Sequence, residues 1–278
     1  MHSLPPVQTI DLFPVLDRHL FDLLASLAPA DWERPTLAPQ WKVRDVALHL
    51  LDGSLRALSM LRDGHFGVAP AGNSYSELVV FLDQLNADWV KAGQRLSPTV
   101  IRELLEQAGA EYNQYLASLD LWAPAIFAVG WAGETTSPNW FHIARDYTEK
   151  WHHQQQIRQA VGQEGALLVP ALYQPFLDTC VRALPHHYRA VPASAGSVIA
   201  FTIVGPVGGT WYLQREEEAW VLGQGYVGPL AATVELDGAV AWRLFTKSLP
   251  RQQAQAHVAI SGDERLGLPV FGLTTVMG

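Results

Sequence analysis

Through the first two thirds of the chain, apolar residues return at the helical interval. Ile10, Phe13, Leu16, Leu20, Leu23, Leu24 and Leu27 share one face and predict a helix over 9–28, which the proline-bearing stretch PADWERPTLAPQW ends. From Val43 to about Arg62 the chain is apolar on most sides, with Val46, Ala47, Leu48, Leu50, Leu51, Leu55, Leu58 and Leu61, and a helix of that kind is buried. Further helices are predicted over 74–95 and 98–118, the second opened by Ser97 with Pro98 at the first helical position. Ser137 and Pro138 repeat that start signal and Gly162 supplies a stop, so a long helix is expected over 138–161, followed by another over 168–184. Short connections between long helices predict an antiparallel bundle. Near residue 190 the pattern changes to strand-like runs at 197–204, 209–216, 219–223, 232–236 and 256–262. A helix over 239–249 lies between the last two, and 266–276 is a weaker, interrupted helical candidate. The whole predicts an α+β protein of two domains, residues 1–188 and 189–278.

Composition narrows the function classes. Of the 278 residues, 49% are hydrophobic and only 17% charged, against roughly 25% charged in ordinary soluble domains, so the chain builds a large core. The net charge is -8 and no basic run occurs, which argues against nucleic acid or an anionic membrane as partner. A single cysteine, Cys180, leaves no disulfide framework and no cysteine-rich zinc site. Neither a signal-like start nor a run of about 18 apolar residues is present, and the expected location is the cytoplasm.

The helix WFHIARDYTEKWHHQQQIRQAVG carries the densest chemistry. Trp140, Ile143, Ala144, Tyr147, Trp151, Ile157 and Val161 form one apolar stripe, and His142, Asp146, Glu149, His153 and Gln156 run opposite it. Such a face is ordinarily solvated. This one has no lysine and concentrates imidazole, carboxylate and amide groups, so a ligand face is the competing reading. Glu149 and His153, four apart, project to the same side, within reach of one divalent ion. His49, mid-way along the buried helix and on a stripe with Asp45, Asp52 and Arg56, is either a hydrogen-bonded core residue or the third ligand. Two imidazole nitrogens and a carboxylate oxygen make the three-ligand set of catalytic zinc sites, and the same donors accommodate nickel, iron, manganese or cobalt. Asp45, Arg56, Asp146, His152 and Gln156 are candidates for the surroundings of such a site. His152, about 100° from His153, is expected beside the ion rather than on it. His186 and His187 at a helix end, the loop acid Glu134 and a buried Cys180 have ordinary structural explanations.

The pairing of WKVRDVALHLLDGSLR with RDYTEKWHHQQQIRQAVG closely resembles the DinB-like helical bundles, in the branch that contains mycothiol-dependent maleylpyruvate isomerase. The resemblance implies an antiparallel four-helix bundle with extra helices over roughly 9–185, and a small α+β domain like sterol carrier proteins after it. It implies a divalent metal, usually zinc, on His49, Glu149 and His153. It also implies a low-molecular-weight thiol acting on a small electrophile, in an isomerase or S-transferase, and is compatible with a homodimer; the residues leave the thiol open between mycothiol, bacillithiol, glutathione and none. In that branch the thiol is held partly by basic residues at the interface with the second domain, and Arg243 and Arg251 are candidates here only as two of the four arginines after residue 190. Isomerase-like members often carry an Asp shortly after the ligand histidine, where this chain has Gln155 and Gln156. A glutamine carbonyl can orient an imidazole, but without adding charge. Two other readings remain open. One is a non-catalytic protein whose second domain, with Trp211, Tyr212, Trp220, Tyr226, Trp242 and Phe245, binds an apolar ligand or partner. The other is a metal-activated hydrolase.

Overall fold

A computed structural model describes residues 1–72 and 74–276. The long helices are α1 (Phe13–Ser26), α2 (Val43–Ala57), α3 (Tyr75–Gly93), α4 (Pro98–Ala117), α5 (Asn139–Val161) and α6 (Pro170–Cys180), followed by a short α7 (Leu184–His187). The strands are β1 (Val198–Val204), β2 (Gly209–Arg215), β3 (Trp220–Gly223), β4 (Ala232–Asp237) and β5 (Val258–Gly262), with α8 (Gly238–Phe245) after β4. Local chemistry sets the ends. Ser97 Oγ accepts from Val100 N–H with Pro98 at the first helical position. Gly162 takes φ +74° at the end of α5, and Gln163 N–H returns to Arg158 O at 2.8 Å. A π-turn, Leu58–Arg62, continues α2 to the boundary expected from its apolar run. Among the described residues no helix is long and apolar enough to cross a membrane.

The chain divides into two compact units, and the division falls within α5. The helical unit comprises Thr9–Ile126 and Glu149–Leu167. Its core joins Leu20, Leu23 and Leu24 of α1, Val46, Leu48 and Leu51 of α2, Ile101 and Leu105 of α4, and Ile157 of α5. The other unit comprises Met1–Gln8, Phe127–Thr148 and Leu168–Val276 and contains a sheet in the order β3-β2-β1-β4-β5. β1 pairs antiparallel with β2 and parallel with β4. As the central strand it is buried on both faces, and Val198, Ile199, Ala200 and Phe201 are all withdrawn from solvent. Composition alone put the junction near residue 188, but α6 and α7 group with the sheet for a packing reason. Tyr173 OH donates to Gly238 O at 2.7 Å, and Tyr188 packs edge-on against Phe201 and Trp220.

Candidate metal centre

The second half of α5 is buried on every side. Each residue from Trp151 to Arg158 is withdrawn from solvent, including His152, His153, Gln154, Gln155 and Gln156. Its polar face is therefore not a solvated one. Burying so many polar groups is costly unless each has a partner. Gln155 Nε2 donates to Glu164 O at 3.0 Å and Arg158 donates to His19 O at 2.7 Å.

The histidines and Glu149 converge one turn earlier. His153 Nε2 lies 3.7 Å from Glu149 Oε2, and His152 Nδ1 lies 3.9 Å from the same oxygen. Ligand atoms of Glu149, His152 and His153 all fall within 4.8 Å of one another. From α2, the His49 ring meets that of His153 at 4.6 Å, nearly at right angles. Trp41, just ahead of α2, covers both, 4.7 Å from His49 and 6.1 Å from His153. Glu149, with 27% of its side chain exposed, forms the open edge of the cluster.

The electrostatics suit a cation. Burial, with His152 alongside, pushes the His153 pKa down to about 3, against the opposing pull of Glu149 and Gln156. Burial, followed by the positive potential of His153, Arg56 and His152, holds His49 well below the ordinary histidine value. Both imidazoles are thus neutral at pH 7, the form that offers a lone pair to a metal. Gln156 Oε1 stands 3.0 Å from His153 Nδ1. With that oxygen accepting, Nδ1 carries the proton and the Nε2 lone pair faces Glu149. His49 Nδ1 is buried with no hydrogen-bond partner, and an unmet buried acceptor or donor costs about 1–3 kcal/mol. An orphaned imidazole nitrogen on His49, the neutral imidazole of His153 and the Glu149 carboxylate make a donor set that fits a divalent ion.

The remaining candidates separate cleanly. Asp45 is used as a helix cap, with Oδ2 accepting from Lys42 N–H at 2.9 Å and Oδ1 from Gln94 at 2.6 Å. Arg56 lies 2.8 Å from Asp52 and donates to Asn86, and its charge reaches His49. Asp146 is paired with Arg145 at 2.7 Å and lies 3.9 Å from His142. Cys180 is fully buried and accepts from Thr275 Oγ1, Glu134 is exposed, and His187 contacts Pro269 O at 2.7 Å. Arg251 lies over the Phe271 ring, and Trp211 and Trp242 belong to the core of the sheet unit. The 100° rotation between His152 and His153 did not separate their ligand atoms. The three-residue step from Glu149 to His152 was the available signal. Trp41 had no signal beyond its place before α2.

Residues 14–158, just over half of the chain, match the family described as mycothiol maleylpyruvate isomerase N-terminal domain. No curated protein matches. Two solved structures are similar in fold across nearly the whole length. One is the crystal structure of the mycothiol-dependent maleylpyruvate isomerase, at 14% identity and TM-score 0.54, and it covers 94% of this chain and 96% of that one. The other is a variant of that isomerase with a histidine replaced by alanine, at 13% identity and TM-score 0.53 with the same coverage.

Proposed function

The chain belongs to the mycothiol maleylpyruvate isomerase N-terminal domain family, and from that premise we propose that it is a metal-dependent isomerase or transferase using a low-molecular-weight thiol. The observation that carries this reading is Glu149 beside His153 on α5, with the His49 ring, its buried Nδ1 orphaned, packed against His153 from α2. Glu149 and His153 would hold the ion from α5 and His49 from α2. Zinc suits two imidazoles and a carboxylate best, and nickel, iron, manganese and cobalt are also accepted. When bound there, a divalent ion supplies a Lewis acid for a thiolate or a carbonyl oxygen.

The protein's own residues prepare that chemistry. Gln156 fixes the His153 tautomer and adds no charge, so the centre carries the negative charge of Glu149 alone among these donors. Trp41 shields the ring faces of His49 and His153 from water. The partly exposed Glu149 leaves an approach for a small thiol and its electrophilic partner.

The test is metal content and thiol dependence together. The purified chain should carry about one metal per chain, Glu149→Ala and His153→Ala should each lose it, and both should lose thiol-dependent turnover of a panel of electrophiles that includes maleylpyruvate. Full metal retention in both variants would overturn the reading. Turnover that needs no added thiol would favour a metal-activated hydrolase instead.

A further inference from the structure

The helical unit holds a second buried polar cluster, apart from the residues that would hold the ion. Gln154 lines a small cavity of about 10 Å3 with Asp17 of α1, Ser54 of α2, Lys150 of α5 and the apolar Leu20 and Leu50. Gln154 is 1% exposed, Ser54 2% and Asp17 5%, so all three are cut off from bulk solvent. Gln154 Nε2 is buried and meets no hydrogen-bond partner. Ser54 Oγ is spent on one long bond, 3.4 Å to Leu50 O. The Asp17 carboxylate accepts from Lys150 at one oxygen and from Asn113 at the other, while each oxygen has a second lone pair to offer.

We propose that this cavity is a binding site for one ordered water, which accepts from Gln154 Nε2 and donates to the Asp17 carboxylate and to Ser54 Oγ. Size and charge select that ligand. A single water takes about 10–15 Å3 of such space and needs about two to four polar partners, and the wall supplies both a stranded donor and the acceptors. Lys150 already balances the charge of Asp17, so the cavity has no net charge with which to hold an ion. A bridging water satisfies a buried donor nearly as well as a protein group does. It accounts for the burial of Gln154 in the polar half of α5. It also ties α5 to α1 and α2 from within, and so fixes the rotation of α5 at the turn that carries His153.

The test is a crystal structure of the wild-type chain at a resolution that shows ordered waters, with Gln154→Leu and Gln154→Met beside it. The wild type should show one solvent peak within about 3.2 Å of Gln154 Nε2 and at the same distance from Asp17 or Ser54. Both variants remove the stranded donor and should lose that peak. In solution, the wild-type Gln154 side-chain amide should give NOE and ROE cross-peaks to water of opposite sign, the signature of a water that tumbles with the protein. An empty cavity, a Gln154 amide bonded directly to a protein group, or a peak that survives in either variant would overturn the proposal. Should neither variant fold, the wild-type density and cross-peaks decide alone. None of these readouts needs a metal, so the outcome is independent of whether the centre binds one.

Discussion

His142, one side chain on α5, shows how burial converts into a pH dependence. It is buried, and Arg145 Nη2 lies 3.0 Å from its Nε2, which suits a neutral ring accepting from the guanidinium. Burial lowers its pKa, Asp146 opposes this, and Arg145 adds to it. In the unfolded chain a histidine titrates near 6.5. Below that pH the unfolded state binds a proton that the folded state refuses, so the stability is whole above about 6.5 and is lost as pH falls. The loss is at most about 1.4 kcal/mol per pH unit for one such ring. His142→Gln should flatten that slope, so urea midpoints of variant and wild type should converge or cross between pH 8 and pH 5. A difference independent of pH would remove His142 as the cause. At this scale the sequence was a partial guide. The four-residue step from Glu149 to His153 was legible because a helix fixes it, and the bond from Gln156 to His153 follows the three-residue step. His152, expected beside the ion, lies next to Glu149 and His153, and its ring comes nearer to them than the direction of its Cβ alone conveys.

At the scale of elements, the helices and strands were legible because their ends carry local chemistry, Ser97 and Gly162 among them. What the periodicity did not show was how α1, α4 and α5 are fastened to one another. Lys150 of α5 is 2.8 Å from Asp17 of α1, and Asn113 of α4 donates to the other carboxylate oxygen at 2.9 Å. Lys150 Nζ also stands 5.7 Å from the Phe13 ring centroid and 5.6 Å from that of Tyr112. The carboxylate has room because position 109 is glycine, where a Cβ would stand 2.9 Å from Asp17 Oδ2. A pair so far from water is worth little net against an apolar replacement, yet losing one partner strands the other. Lys150→Met alone should cost about 3–5 kcal/mol, and Asp17→Leu with Lys150→Met should recover most of it. A urea double-mutant cycle measures this, and strictly additive losses would show that the pair is not a coupled unit.

For the whole molecule, the composition change near residue 190 marks where strands begin, but the unit that contains them begins earlier in the chain. The reason is aromatic. Tyr173 of α6 donates to Gly238 O and accepts from Trp242 N–H, and Tyr188 closes on Phe201 and Trp220, whose Nε1 donates to Val191 O. These contacts span from α6 to α8, so sequence proximity gave no hint of them. The N-terminal residues belong to the same unit, since His2 and Gln224 exchange two backbone hydrogen bonds of 2.9 Å beyond β3. Each fully buried aromatic contributes about 1.5–3 kcal/mol. A fragment of about 90 residues would have only roughly 5–13 kcal/mol of net stability to lose. A fragment of residues 189–278 lacks Tyr173, Phe176 and Tyr188, and its partners Trp220 and Trp242 would stand in water. That fragment should show solvent-exposed tryptophan emission and no cooperative urea transition, and extending it back to residue 168 should restore both a blue-shifted emission and a sigmoidal unfolding curve. Cooperative unfolding of 189–278 alone would mean that the sheet holds itself together and that α6 and α7 only lie against it.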